Sequence, residues 1–237
     1  ERAGLATGLV STARITHATP AATFSEVASR DWESNADLKG NEGSDDNLSD
    51  CRDIARQLIE WPEGDGLEVA LGGGRNNFMT RDETDPENEN IKGRRTDGRD
   101  LTAEWTQKSN QHFYLTNKAE FDALDFASNA RVLGLFEPSH MKFELDRAKT
   151  PGEEPSISEM TRAAITRLSQ NEEGYILMVE GGRIDHGHHG VNAARALEDT
   201  DAFDQAIATA LEMTSVEDTL IIVTADHSHT LTIAGYP

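Results

Sequence analysis

Four short apolar runs, each closed by glycine or a carboxylate, constrain the fold most. They are 67–74 (LEVALGGG), 131–137 (RVLGLFE), 175–180 (YILMVE) and 219–226 (TLIIVTAD). Their apolarity is continuous rather than alternating, which predicts strands covered on both faces, as in a parallel sheet. Helical patterns fall between them. Leu48, Cys51, Ile54, Ala55 and Leu58 trace one apolar face, preceded by Asp and Asn residues suited to capping. Ile157, Met160, Ala164, Ile165 and Leu168 trace a second, opened by Ser156 and Glu159 at capping-box spacing. The stretch 191–213 reads as a third helix through Ala194, Leu197, Phe203, Ile207 and Leu211. Strands alternating with helices predict an α/β three-layer sandwich, a mostly parallel central sheet flanked by helices. The stretch 80–100 is almost wholly polar and rich in turn signals, so it reads as an excursion from the core, and 33–47 looks similar.

Charge is the outstanding bulk property. Asp and Glu total 43 against 22 Lys and Arg, a formal net charge of −21. Such a surface repels nucleic acid and anionic membranes, which argues against either as a partner. It repels phosphate esters too, unless bound cations reverse the field locally. The acidity suits either a solvated, soluble surface or adaptation to high salt, where self-repulsion is screened. No run approaches the ~20 apolar residues of a membrane span, and 1–20 lack a signal-peptide pattern. The single cysteine, Cys51, falls on the first helical pattern, where it is either a buried thiol or the partner of a cysteine elsewhere.

Two of the predicted strands end in metal-ligating residues, where an open α/β sheet gathers its ligands. Glu180 leaves the third run, two glycines let the chain turn, and Asp185, His186, His188 and His189 follow. Hard carboxylate oxygen suits magnesium, and imidazole with carboxylate suits zinc. Asp185 and His189 share a face if the turn continues into a helix. The fourth run ends in Thr224-Ala-Asp226-His227-Ser-His229, a second mixed oxygen and nitrogen set. An earlier run carries His17, Thr19 and Pro20, with Arg30 thirteen residues beyond His17.

The segments HATPAA, EGGRIDHGHH and TADHSH, with LGGGR at 71–75 and GLFEPSHMKFE at 134–144, resemble the alkaline phosphatases, particularly their animal-type branch. The resemblance implies a zinc–zinc–magnesium phosphomonoesterase with a phosphoserine intermediate. By it, Asp185 and His189 match ligands of one zinc, Asp226 and His227 of the other, and Glu180 and the Thr19 hydroxyl of the magnesium. Arg30 matches the arginine that grips phosphate, His17 and His186 match positions beside the metals, and His229 lies near the zincs. Glu87, the Phe136 carbonyl, Glu137 and Glu154 match a fourth, calcium-like site, although Glu154 stands where the family pattern has Asp. The resemblance further implies a homodimer, a phosphate monoester substrate with inorganic phosphate as product, and a periplasmic, secreted or cell-surface location. It places the nucleophilic serine ahead of residue 1 and the third ligand of the first zinc, a histidine, beyond Pro237. The expectation is therefore that 1–237 is the central part of a single domain, inactive alone. Two other readings stay open: a related phosphodiesterase, sulfatase or mutase, and a non-catalytic acidic metal-binding module.

Overall fold

The computed structural model describes residues 3–38, 48, 50–61, 66–150 and 152–230. Its strands are β1 (Ala6–Arg14), β2 (Val69–Gly73), β3 (His112–Leu115), β4 (Arg131–Leu135) and β5 (Tyr175–Glu180). Its helices are α1 (Ala18–Ala21), α2 (Ile54–Ile59), α3 (Leu101–Gln107), α4 (Lys118–Ala123), α5 (Glu144–Arg147), α6 (Ile157–Leu168), α7 (Gly182–His189) and α8 (Ala193–Met213). The strands form one sheet in the order β3-β4-β2-β1-β5, every pair parallel. One face packs Met160, Ala164 and Leu168 of α6 and Ala202 and Ala206 of α8. The other face packs Ile54 and Leu58 of α2 and Leu101 and Trp105 of α3. This is the expected three-layer sandwich.

Three of the four apolar runs became β2, β4 and β5. The interior strand β1, between β2 and β5, was not among them, because its sequence (ATGLVSTAR) is small and half polar. Proximity explains that composition: a Cβ added to Gly8 would lie 2.7 Å from Leu168 Cδ1 of α6. The fourth run is a correction. Among the described residues, 219–230 pair with no strand, and Leu220 and Ile222 are 84% and 76% exposed. An apolar run becomes a strand only where a neighbouring strand takes up its backbone groups, and none of the described strands lies beside it. The Asp226–His227 pair therefore follows an extended segment rather than a strand end.

Helix α6 carries the expected capping box, with Ser156 accepting from the Glu159 amide and the Glu159 carboxylate accepting from the Ser156 amide. Helix α2 is shorter than its pattern. Asp53 caps it by accepting from Arg56 N, so Leu48 and Cys51 precede the helix, and Cys51 is a half-buried thiol. Residues 39–47, most of one polar stretch, lie outside the described residues. The other polar stretch, 80–100, sends two charged side chains inward: Asp85 and Arg95 are 4% and 0% exposed. Asp85 pairs with Arg75, while Arg95 pairs with Asp53 and Asp97. No helix among the described residues is long and apolar enough to cross a membrane.

Candidate metal and phosphate site

Because every strand is parallel, the chain leaves all of them at one edge, and the candidate residues follow directly from there. The β1–β5 register sets Ser11 opposite Glu180, and the Ser11 hydroxyl donates to Glu180 Oε2 at 2.5 Å. The Thr19 hydroxyl on α1 acts on the same carboxylate, helping to hold its pKa down. Burial pushes the Glu180 carboxyl up, the two hydroxyls partly offset this, and the charges of Asp226 and Asp185 push it further. Space decides the next residue, since a Cβ on Gly182 would lie 3.1 Å from Glu180 Oε2 and 2.9 Å from the Ala13 Cβ.

Asp185 is the hub of the second group. One helical turn brings His189 Nε2 to 3.5 Å from its Oδ1, and His227 Nε2 approaches the same oxygen at 3.9 Å. His229 hydrogen-bonds it directly, and its ring stacks on His188 at 4.9 Å. Asp226 Oδ2 lies 3.5 Å from His227 Nε2. Burial would raise Asp185, but the His229 hydrogen bond and the His189 and His229 rings outweigh it and hold the carboxyl low. Ligand atoms of Asp185, His227 and His229 lie within 4.8 Å of one another. Carboxylate and imidazole on one side of a sheet edge are the donors a zinc-class ion takes. Glu180, which burial and two nearby carboxylates push toward the neutral form, is a group that a cation would relieve.

Arg30 is exposed, with Nη2 3.4 Å from His17 Nε2. The His17 and His186 rings lie 5.4 Å apart. Burial and then Arg14 push His17 down, while burial and then Arg183 push His186 down to about 4. Against both rings packs His140, which sequence reasoning passed over as part of the GLFEPSHMKFE resemblance. Burial first and Arg14 second push it down to about 2. Only its place five residues after β4, at the same edge, could have marked it.

The calcium-like set is brought together in part. Glu87 Oε2 accepts from Arg75 Nη2 at 2.7 Å, and Glu137 Oε1 lies 3.0 Å from Lys142 Nζ. Phe136, whose carbonyl was the expected ligand, is 1% exposed just past β4. Glu154 Oε1 accepts from the Lys142 amide at 3.0 Å, while Oε2 is buried without a partner. An unpartnered buried carboxylate oxygen beside Glu137 fits a hard cation, although such an ion would have to draw Glu137 away from Lys142. Burial, then the Glu137 charge, push Glu154 up to about 8. Its folded pKa thus exceeds its ordinary 4.5, so the folded chain holds this proton more tightly. The group's stabilising contribution is complete at low pH and lost as pH rises from the ordinary carboxylate range to about 8. Calcium-free protein should lose this contribution over that interval, and Glu154→Gln should flatten the loss in unfolding midpoints. Calcium affinity measured calorimetrically should rise over the same interval, because the ion displaces the proton. An affinity independent of pH would contradict this.

The alkaline phosphatase family model matches residues 1–237. The chain is 43% identical over 233 residues to a membrane-bound alkaline phosphatase of Bombyx mori, covering 97% of this chain and 41% of that protein. It is 45% identical over 240 residues to the tissue-nonspecific alkaline phosphatase of Felis catus, covering 98% and 44%. The crystal structure of Thermus thermophilus alkaline phosphatase superposes with a TM-score of 0.66 at 35% identity, covering 88% of this chain and 36% of that one. The chain thus spans less than half the length of these relatives. With the parallel sheet, the carboxylate–histidine clusters at its edge and a match along its whole length, the chain belongs to the alkaline phosphatase family.

Proposed function

We propose that the complete protein to which these residues belong hydrolyses phosphate monoesters, with 1–237 forming the central part of one domain. The observation that carries this is the meeting of the Asp185 cluster with Arg30 through His17 and His186 at one sheet edge. Asp185 and His189 would hold one zinc, Asp226 and His227 a second, and Glu180 with Thr19 a magnesium. Glu87, the Phe136 carbonyl, Glu137 and Glu154 would surround a calcium. When bound, the ions at this edge supply Lewis-acid charge that offsets phosphoryl oxygens and eases ionisation of an attacking hydroxyl.

The chain's own residues then account for recognition. Arg30 presents two parallel donors to two non-bridging oxygens, a fork that lysine does not reproduce. His17 and His186, kept neutral by burial, steer oxygens by hydrogen bonding without adding charge. Glu180 accepts from the Ser11 hydroxyl across the β1–β5 register, which sets its carboxylate at the strand end. Phosphoryl transfer demands positioning and charge stabilisation above all, and both are concentrated here despite a net charge of −21. The same reading takes inorganic phosphate as product, a homodimer as the assembly, and a periplasmic, secreted or surface location, in line with a relative named membrane-bound.

The test compares turnover of an aryl phosphate monoester with the matching diester and sulfate, using the full-length protein. The monoester should be strongly preferred, and a diester or sulfate turned over as fast would overturn the reading. Arg30→Ala should raise the inhibition constant of inorganic phosphate by about 1–3 kcal/mol, roughly 5- to 150-fold. An unchanged constant would remove Arg30 from phosphate binding.

A further inference from the structure

His140 links the phosphate-binding face to the rigid sheet. Its loop is tied down on both sides: Gly74 N donates to Ser139 O at 2.7 Å, and Met141 N donates to Thr12 O at 3.1 Å. Its ring meets His186 at 4.2 Å between centroids and His17 at 5.1 Å, and so packs against both in a triangle whose third side, His17 to His186, is 5.4 Å. Arg14 grips the ring from behind, its backbone amide donating to Nδ1 at 3.2 Å and its Nη1 lying 2.6 Å from Nε2. Arg14 is itself held by Glu33 through Nε at 2.8 Å and Nη2 at 2.6 Å. Glu33 in turn accepts from Thr16 Oγ1 at 2.5 Å and from Asn77 Nδ2 at 3.1 Å. A continuous, partly buried chain of hydrogen bonds therefore ends on His140.

Three imidazoles this close suit a transition metal by donor type, with one ligand nitrogen from each within 4.8 Å of the others. Their surroundings argue otherwise. Each ring has a guanidinium against a nitrogen: Arg14 on His140 at 2.6 Å, Arg183 on His186 at 3.1 Å and Arg30 on His17 at 3.4 Å. Those donors compete for the ring lone pairs and place positive charge where a cation would sit. What remains is orientation. A ring packed against two others limits the angles both can adopt.

We infer that His140 is a positioning residue, which holds the His17 and His186 rings at one fixed angle toward the phosphoryl group beside Arg30. The inference rests on the phosphomonoesterase reading. Small misplacements of groups that orient a reacting phosphoryl are costly, which sets the scale of the effect.

The experiment uses the full-length, metal-loaded protein, an aryl phosphate as substrate and inorganic phosphate as inhibitor. His140→Ala should raise the phosphate inhibition constant about threefold to tenfold with the thermal midpoint little changed, and His140→Phe, which keeps a ring at that place, should recover most of that loss. With His17 and His186 already replaced by alanine, His140→Ala should add nothing further, since contacting residues are not additive. A loss of equal size in that background would overturn the inference. So would a wild-type constant in His140→Ala, failure of His140→Phe to recover it, or a crystal structure of His140→Ala with both rings unmoved. Metal analysis showing a zinc equivalent that only His140→Ala loses would overturn it in favour of a metal site. If the wild-type protein turned over no monoester, the functional reading would fall, and the ring positions in that crystal structure would still decide this one.

Discussion

Replacing Asp185 by alanine in the full-length protein is expected to cost about one equivalent of zinc and at least about a hundredfold in monoester turnover. The size follows from where the carboxylate sits. Its Oδ1 is approached by three histidines, His229 in hydrogen-bond contact, His189 at 3.5 Å and His227 at 3.9 Å. Two of those histidines come from a segment some forty residues away in sequence, so the carboxylate joins both halves of the edge. Without it, His189, His227 and His229 lose the one anion that holds them together, and an ion there would lose its charge compensation. Removing a group that only orients a ligand typically costs 10–100-fold in affinity or activity, and a direct ligand should exceed that. Asp185→Asn, which keeps the shape without the charge, should fall close to the alanine variant. Elemental analysis beside a turnover assay decides it. A variant with a full complement of zinc and near-normal turnover would remove Asp185 from the site.

The second large effect is on stability. Asp53→Ala should lower the unfolding free energy by about 3–5 kcal/mol, read from urea midpoints, because it leaves a buried charge uncompensated. Arg95 has a fully buried side chain, and its Nη1 lies 2.9 Å from Asp53 Oδ1, itself 1% exposed. Asp97 remains as a partner at 2.5 Å, but its side chain is 27% exposed and does not replace the buried contact. Asp53 also caps α2 through Arg56 N, and loss of such a cap alone costs about 1 kcal/mol. Asp53→Asn keeps the cap and should separate the two contributions. A loss under about 1 kcal/mol for the alanine variant would mean that water or Asp97 compensates Arg95 after all.

The two effects sit at opposite ends of what could be read without coordinates. Glu180, Asp185, His186 and His189 were legible because they lie within one strand end and two turns of a helix, where local geometry alone makes them neighbours. Ser156 and Glu159 announced the start of α6 for the same reason. The Arg95–Asp53 pair was not legible, since Arg95 lies in a polar stretch that looks like surface and Asp53 reads as a helix cap, and only folding brings them together across 42 positions. His140 escaped notice because nothing in its own neighbourhood distinguishes it from a loop residue.

By itself the sequence determined the alternation of buried strands and helices, the start of α6 and the first carboxylate–histidine cluster, because periodicity and short-range spacing fix which local face is apolar and which side chains share it. Only the tertiary structure decided three further points. The half-polar Ala6–Arg14 became an interior strand between β2 and β5, the apolar 219–226 stayed unpaired among the described residues, and Lys142 and His140 came to stand beside the candidate ligands. The reason is the same for each. Whether a residue is buried or paired depends on what crosses it from far along the chain, as α6 crosses Gly8, and hydrophobic pattern carries no record of that partner.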